Sequence, residues 1–258
     1  MSVIIRSVIF NVIFYLVLVA YLVAVVFALV LPYRCTVEIA KHWAKTNLWL
    51  LRVICNIKVD FRGLEKIPPG GLILASKHQS VWETFALMTL VDNPTFILKR
   101  ELMWIPLFGW GLWKAQMIPV NRGARGPALA AMTERAKEEV NEGRQIIIFP
   151  EGTRRPPGAE PQYKFGVAFL YAETGVPCVP VALNSGLFWL RRSFRRFPGT
   201  VVVQVCDPIM PGLEKKEFHG QLQNVIETAS AQLLEEGKRE LGPYAAQVMA
   251  RAEARARP

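Results

Sequence analysis

From Val8 to Leu31 the chain is apolar at almost every position, broken only by Asn11. A helix of that length covers the roughly 30 Å hydrocarbon core of a bilayer, so the run must meet lipid or be buried whole. A cleaved signal peptide would carry a shorter apolar core, roughly 7–15 residues, and then a small-x-small cleavage site. Here Pro32, Tyr33, Arg34 and Cys35 follow, so the expectation is a retained anchor. Arg6 precedes the run, while Arg34, Lys41, Lys45 and Arg52 follow closely. The positive-inside tendency then puts the body at the cytoplasmic face of the inner (plasma) membrane.

Behind the anchor, Cys35 to Leu51 reads as an amphipathic helix, with Trp43, Leu48, Trp49 and Leu51 in reach of the membrane interface. Strands are expected at Ile57–Phe61, Leu72–Ala75, Thr95–Leu98, Gln116–Val120, Gln145–Phe149, Val179–Leu183 and Val201–Cys206, from apolar runs bounded by turn residues. Helices are expected at Val81–Val91, Gly126–Glu142, Phe165–Glu173 and Glu217–Glu236. Strands alternating with helices make one α/β domain with a largely parallel or mixed sheet flanked by helices. The division is 1–55 for anchor and interfacial helix, 56–240 for the α/β domain and 241–258 for a basic tail.

The net charge of +10 favours anionic partners. With a membrane segment present, anionic lipid or a phosphorylated substrate ranks above nucleic acid. Arg191, Arg192, Arg195 and Arg196, interleaved with Phe194 and flanked by Trp189 and Phe197, suit a headgroup surface, an acyl carrier protein or the phosphates of coenzyme A. They equally suit a solvated loop. Trp104, Phe108, Trp110 and Trp113 read as core, acyl groove or bilayer contact. The four cysteines form no CxxC pair, and the three histidines make no ligand cluster, so no metal is expected.

Two short segments carry chemistry. Ser76-Lys77-His78-Gln79-Ser80-Val81-Trp82-Glu83 directly follows an expected buried strand. A histidine can take a proton from an alcohol if a carboxylate orients its ring. Residues five apart on one helix diverge by about 140°. His78 and Glu83 meet only if the histidine lies in the turn before the helix. Phe149-Pro150-Glu151-Gly152-Thr153-Arg154 ends another buried strand. It offers an arginine fork, a hydroxyl and glycine-permitted backbone N–H groups for a phosphate. Glu151 would bind glycerol hydroxyls or order Arg154. A lone His-x4-Glu or Glu-Gly pair is also common in ordinary turns.

Four blocks in order resemble the 1-acylglycerol-3-phosphate acyltransferases: His78–Glu83; Lys99-Arg100-Glu101-Leu102 with Pro106, Gly109, Pro119 and Arg122; Phe149–Arg154; and Val179-Pro180-Val181-Ala182. The resemblance implies a glycerol-3-phosphate acyltransferase-like fold. It implies His78 as general base oriented by Glu83, and acceptor binding by Lys99, Arg100, Arg122, Glu151, Gly152, Thr153 and Arg154. The fourth block would help shape the donor site. The implied reaction moves an acyl group from acyl-CoA or acyl carrier protein to lysophosphatidate. The thioester is a co-substrate, the bilayer surface and lysolipid are the partners, and no cofactor is required. The chain departs from the family pattern at Glu83, usually aspartate, and at Lys77, commonly asparagine. Competing readings are another lysolipid acceptor, such as a lysophospholipid or lyso-ornithine lipid, and a non-catalytic anionic-membrane binder. A serine lipid hydrolase would need a Gly-x-Ser-x-Gly elbow, which the chain lacks.

Overall fold

The computed structural model describes residues 2–121 and 126–254. Two long helices come first, α1 (Val3–Ala28) and α2 (Tyr33–Cys55). The domain follows as β1 (Ile57–Arg62), β2 (Leu72–Ser76), α3 (Trp82–Ala86), β3 (Pro94–Lys99), α4 (Phe108–Lys114), β4 (Ile118–Val120), α5 (Pro127–Asn141) and β5 (Gln145–Ile148). It continues with α6 (Gly166–Thr174), β6 (Cys178–Leu183), α7 (Ser185–Phe188), β7 (Gly199–Val205), α8 (Lys215–Leu241) and α9 (Ala245–Ala254).

The strands form one mixed sheet in the order β1-β7-β6-β2-β5-β3-β4. From β6 to β4 all neighbours are parallel; β7 turns antiparallel to β6, and β1 runs parallel to β7. The central strand β2 is buried at every residue, because helices cover both faces. Its alternation divides the core. Leu72 and Leu74 pack toward α1, α2, α3 and α7, while Ile73 and Ala75 pack toward α5, α6 and α8.

Helix α1 is long and apolar enough to cross a membrane. It is also docked on the domain. Ser7, Phe10 and Phe14 form its buried stripe, and Phe10 meets the Trp189 ring edge-on. Asn11, the one polar break in the run, donates to the Phe194 carbonyl at 2.9 Å and accepts from the Arg196 guanidinium at 3.0 Å. Arg196 is only 4 % exposed and lies 3.7 Å over the Trp189 ring. Burial pulls its guanidinium down to about 9, so it stays a cation at neutral pH. The loop expected to meet headgroups, an acyl carrier protein or coenzyme A phosphates, or to be solvated, is pinned at one end by its last arginine. The opposite face of α1, including Ile5, Val8, Val12, Leu16, Val19 and Val23, is exposed.

Four expectations shift. In α2, Trp43 stacks edge-on to Phe85 and Leu51 is fully buried, so both are core rather than interfacial; Trp49 and Val53 face out. Helix α3 is a single short stretch followed by a 3-10 turn at Leu87–Thr89. The Thr84 and Thr89 hydroxyls bond back to the carbonyls of Val81 and Ala86, competing with the α-helical ladder. Strand β4 starts late because Gln116 has φ +55°. Helix α4 was not expected, and Trp110 and Trp113 on it stand exposed, with Trp104 just before it.

Candidate active site

In a parallel sheet the crevice beyond the carboxyl ends of the strands collects loop side chains. Here β2 delivers His78, β5 delivers Glu151 to Arg154, β3 ends at Lys99, and β6 leads to Ser185. The His78 ring leaves the strand before α3 begins, as the five-residue spacing requires. Its Nδ1 lies 2.9 Å from Glu83 Oε1. That oxygen also accepts the backbone N–H groups of Gln79 and Ser80, both at 2.6 Å. The Ser185 hydroxyl donates to Oε2 at 2.6 Å. A carboxylate held by three other donors can only accept from imidazole, so Nδ1 carries the proton and Nε2 presents its lone pair. The ring stacks on Phe149 at 4.0 Å with 17° between planes, which fixes its tilt. Glu83 is fully buried and the histidine side chain is 13 % exposed.

Lys77, the residue before the histidine, points away from it, as alternation along a strand dictates. Its Nζ lies 3.1 Å from Glu151 and 2.7 Å from Glu227 of α8. Tyr163 donates its hydroxyl to the same Glu227 oxygen at 2.8 Å. Burial holds the Glu151 carboxyl above the usual carboxylate range, with Lys77 opposing. Glu151 is 2 % exposed. Through Oε1 it bolts the β2 and β5 loops to α8, while its Oε2 is buried without a hydrogen-bond partner among the described residues. The Gly152 N–H closes a turn on the Phe149 carbonyl at 2.9 Å, so that donor is already engaged within the turn. The Arg155 N–H donates to the His78 carbonyl at 2.7 Å, tying the two loops together.

The remaining expected residues ring this centre. Thr153 is exposed, and the half-buried Arg154 guanidinium makes no hydrogen bond or ion pair among the described residues. Lys99 pairs with Glu101 at 2.9 Å while half exposed, a weak surface pair. Arg100 is exposed beside it. Arg122 lies outside the described residues. Between the ends of β3, β4 and β5 and the starts of α5 and α6 opens a cavity of about 180 Å³. Leu98, Leu129, Met132 and Phe149 form part of its apolar floor, and Gly152 and Lys164 stand at its rim.

The Acyltransferase family model matches residues 58–184, which include the histidine turn, the glycine turn and all of β6. The 1-acyl-sn-glycerol-3-phosphate acyltransferase of Pseudomonas aeruginosa is 36% identical over 184 residues, 71% of this chain and 71% of that protein. The chain belongs to this acyltransferase family, and it is an enzyme. The mouse 1-acyl-sn-glycerol-3-phosphate acyltransferase alpha is 32% identical over 174 residues, 63% of this chain and 61% of the mouse protein. The fold is shared with the crystal structure of the 1-acyl-sn-glycerophosphate (LPA) acyltransferase, PlsC, from Thermotoga maritima. That match has a TM-score of 0.76 at 24% identity and covers 90% of this chain and 98% of the other.

Three residues escaped the sequence reading. Ser185 follows β6, so the fourth block is a buried strand whose end delivers a hydroxyl to Glu83; a serine 102 positions downstream carries no local signal. Phe149 was read as the last residue of a strand, but its ring is the floor beneath His78. Gln79 accepts the Gly186 N–H at 3.0 Å, clamping the turn that holds Ser185.

Proposed function

We propose that this enzyme moves a fatty acyl group from an acyl thioester, acyl-CoA or acyl carrier protein, to the free hydroxyl of lysophosphatidate, giving phosphatidic acid. The names of its relatives and the cations around the site support the acceptor. The observation that carries the chemistry is the His78–Glu83 pair with Nε2 turned to the crevice. The acceptor hydroxyl gives its proton to Nε2 as its oxygen attacks the thioester carbonyl. The imidazolium that forms is stabilised by Glu83, which the two backbone N–H groups and Ser185 hold in place. Collapse of the tetrahedral adduct breaks the C–S bond, and the imidazolium proton passes to the departing thiolate. No hydroxyl or thiol is bonded to His78 among the described residues, which favours direct transfer over an acyl-enzyme.

The reading of the anchor follows from the same contacts. Helix α1 is about 39 Å long at 1.5 Å per residue. It touches the domain toward both ends, at Ser7, whose hydroxyl accepts the Arg196 N–H, and at Val25, whose methyl approaches Gly111. A helix held along the domain in this way lies with its exposed stripe in one leaflet. The exposed Trp49, Trp104, Trp110 and Trp113 extend that apolar surface at headgroup depth. The flanking cations favour a cytoplasmic side for this surface.

Acyl transfer to lysophosphatidate from both thioester donors, wild type beside His78→Ala, tests the proposal in uncharged detergent micelles. Product from wild type alone supports the reaction and the base together. Product from both removes His78 from its role. No product from folded wild type overturns the acceptor, and a lysophospholipid and lyso-ornithine panel follows.

A further inference from the structure

Lys164 stands twelve positions beyond Gly152, at the far end of the excursion between β5 and α6. Two bonds bring it back. Its backbone N–H donates to the Pro150 carbonyl at 2.9 Å, and its neighbour Tyr163 is locked to Glu227. The side chain then crosses directly over the glycine turn. A Cβ built at Gly152 would stand 3.1 Å from Lys164 Cε and 3.2 Å from both Cδ and Nζ. Gly152 has φ +65°, so the turn needs glycine for its backbone, and the absent Cβ leaves room for this side chain.

The electrostatics of the rim single this residue out. Among the described residues lining the cavity, Lys164 is the one charged side chain. No carboxylate lies within ion-pair reach of its Nζ among the described residues, and the Glu151 oxygen Oε1 is taken by Lys77. The Gly152 N–H is closed onto Phe149, so positive charge at this turn comes from side chains, Lys164 across the turn and Arg154 two residues beyond it. The cavity floor is apolar, so an anion fits the rim and not the floor. Phe149 lines the cavity and also carries the His78 ring, so the rim lies one aromatic ring from the base.

We infer that Lys164 binds the phosphate of the acyl acceptor at this rim, together with Arg154, and selects a phosphomonoester headgroup over an uncharged one. The inference rests on the lysophosphatidate reading above. It makes Lys164 a specificity residue that the four sequence blocks do not include. The dianion is held by one mobile ammonium and one planar guanidinium, and the sn-2 oxygen remains free to turn toward Nε2.

The test compares wild type, Lys164→Met and Lys164→Arg in uncharged detergent micelles. Three quantities are read: KM and kcat for lysophosphatidate, the inhibition constant of 1-acylglycerol as a phosphate-free competitor, and KM for the thioester donor. Loss of a charge-assisted bond should raise KM for lysophosphatidate about 10- to 100-fold in the methionine variant. Arginine should recover most of that loss. The 1-acylglycerol constant and the donor KM should stay within about threefold. An equal loss on both acceptors would make Lys164 merely structural and overturn the inference. So would an unchanged KM for lysophosphatidate, or a rise confined to the donor, which would assign the cation to the donor's phosphates. Wild type inactive on lysophosphatidate defeats the parent reading instead, and that is seen before any variant is made.

Discussion

Replacing Lys77 with methionine keeps the bulk of a buried side chain and removes its charge. Glu151 and Glu227 then face each other without the cation that lies 3.1 and 2.7 Å from them. Two unit charges about 6 Å apart repel by about 3 kcal/mol at an effective dielectric constant of about 20. Glu151, the fully buried partner, can escape by taking a proton. From an ordinary glutamate pKa of about 4.3, that costs about 3.7 kcal/mol at pH 7. Whichever route the site takes, the variant should lose about 3 to 4 kcal/mol at pH 7, in the range for breaking a buried pair. The pH dependence then has a definite sign. The folded variant holds the Glu151 proton and the unfolded chain releases it, so stability falls as pH rises above the ordinary glutamate value. The deficit against wild type should shrink to about 1 kcal/mol at pH 5. Urea unfolding in neutral micelles at pH 5, 6 and 7 measures this, with Lys77→Met/Glu151→Gln expected to regain most of the loss and to flatten its pH dependence. A single variant within about 1 kcal/mol of wild type at pH 7, or an equal deficit at pH 5 and 7, would refute the reasoning.

Ser185→Ala removes the donor to Glu83 Oε2; it should cost about 1–3 kcal/mol in thermal or urea unfolding and lower kcat with little change in KM. Glu83→Asp should keep substantial activity while Glu83→Gln loses most of it, and equal turnover by wild type and Gln would remove the orienting role. Asn11→Leu strips an acceptor from the buried Arg196 and should speed tryptic cleavage in the 191–196 loop by loosening it from α1; unchanged digestion would mean that the Trp189 stack alone holds the arginine. Changing Trp110 and Trp113 to serine together should weaken binding to phospholipid vesicles, read by flotation, without changing the unfolding midpoint, because both rings are exposed.

The fold was legible where one face or both were buried. Strand β2 is apolar at four positions in a row because both its faces are covered, and such a run with turn signals on each side reads correctly from sequence. The His78 turn was legible too, since its spacing to Glu83 forbids a meeting on one helix. What stayed hidden depended on contacts across the sheet. Ser185 reaches Glu83 only because β6 lies beside β2, with Ser76 opposite Val181. Trp43 and Trp49 sit on one helix six residues apart, and only the positions of Phe14 and Phe85 decide which ring enters the core. Glu151 was read for the charge it carries, but the partner that captures that charge is the lysine marked as a departure from the family pattern.

That lysine and the glutamate at position 83 are two changes in one turn, and the structure lets them be read together. Lys77 points to one side of β2 and His78 to the other, so the cation braces the loops from behind while the imidazole faces the crevice. Glu83 sits in the first turn of α3 and folds back over two N–H groups of the turn that precedes the helix, satisfying donors that no strand or helix partner reaches. An aspartate there would be shorter by one bond of about 1.5 Å and would have to draw the turn inward to keep both the N–H groups and the imidazole. The longer carboxylate reaches all four donors with the turn held open by the Arg155–His78 bond. The geometry of the His78–Glu83 pair is thus set by the turn's own hydrogen bonds, and the buried ion pair sets where that turn stands relative to the glycine turn of β5.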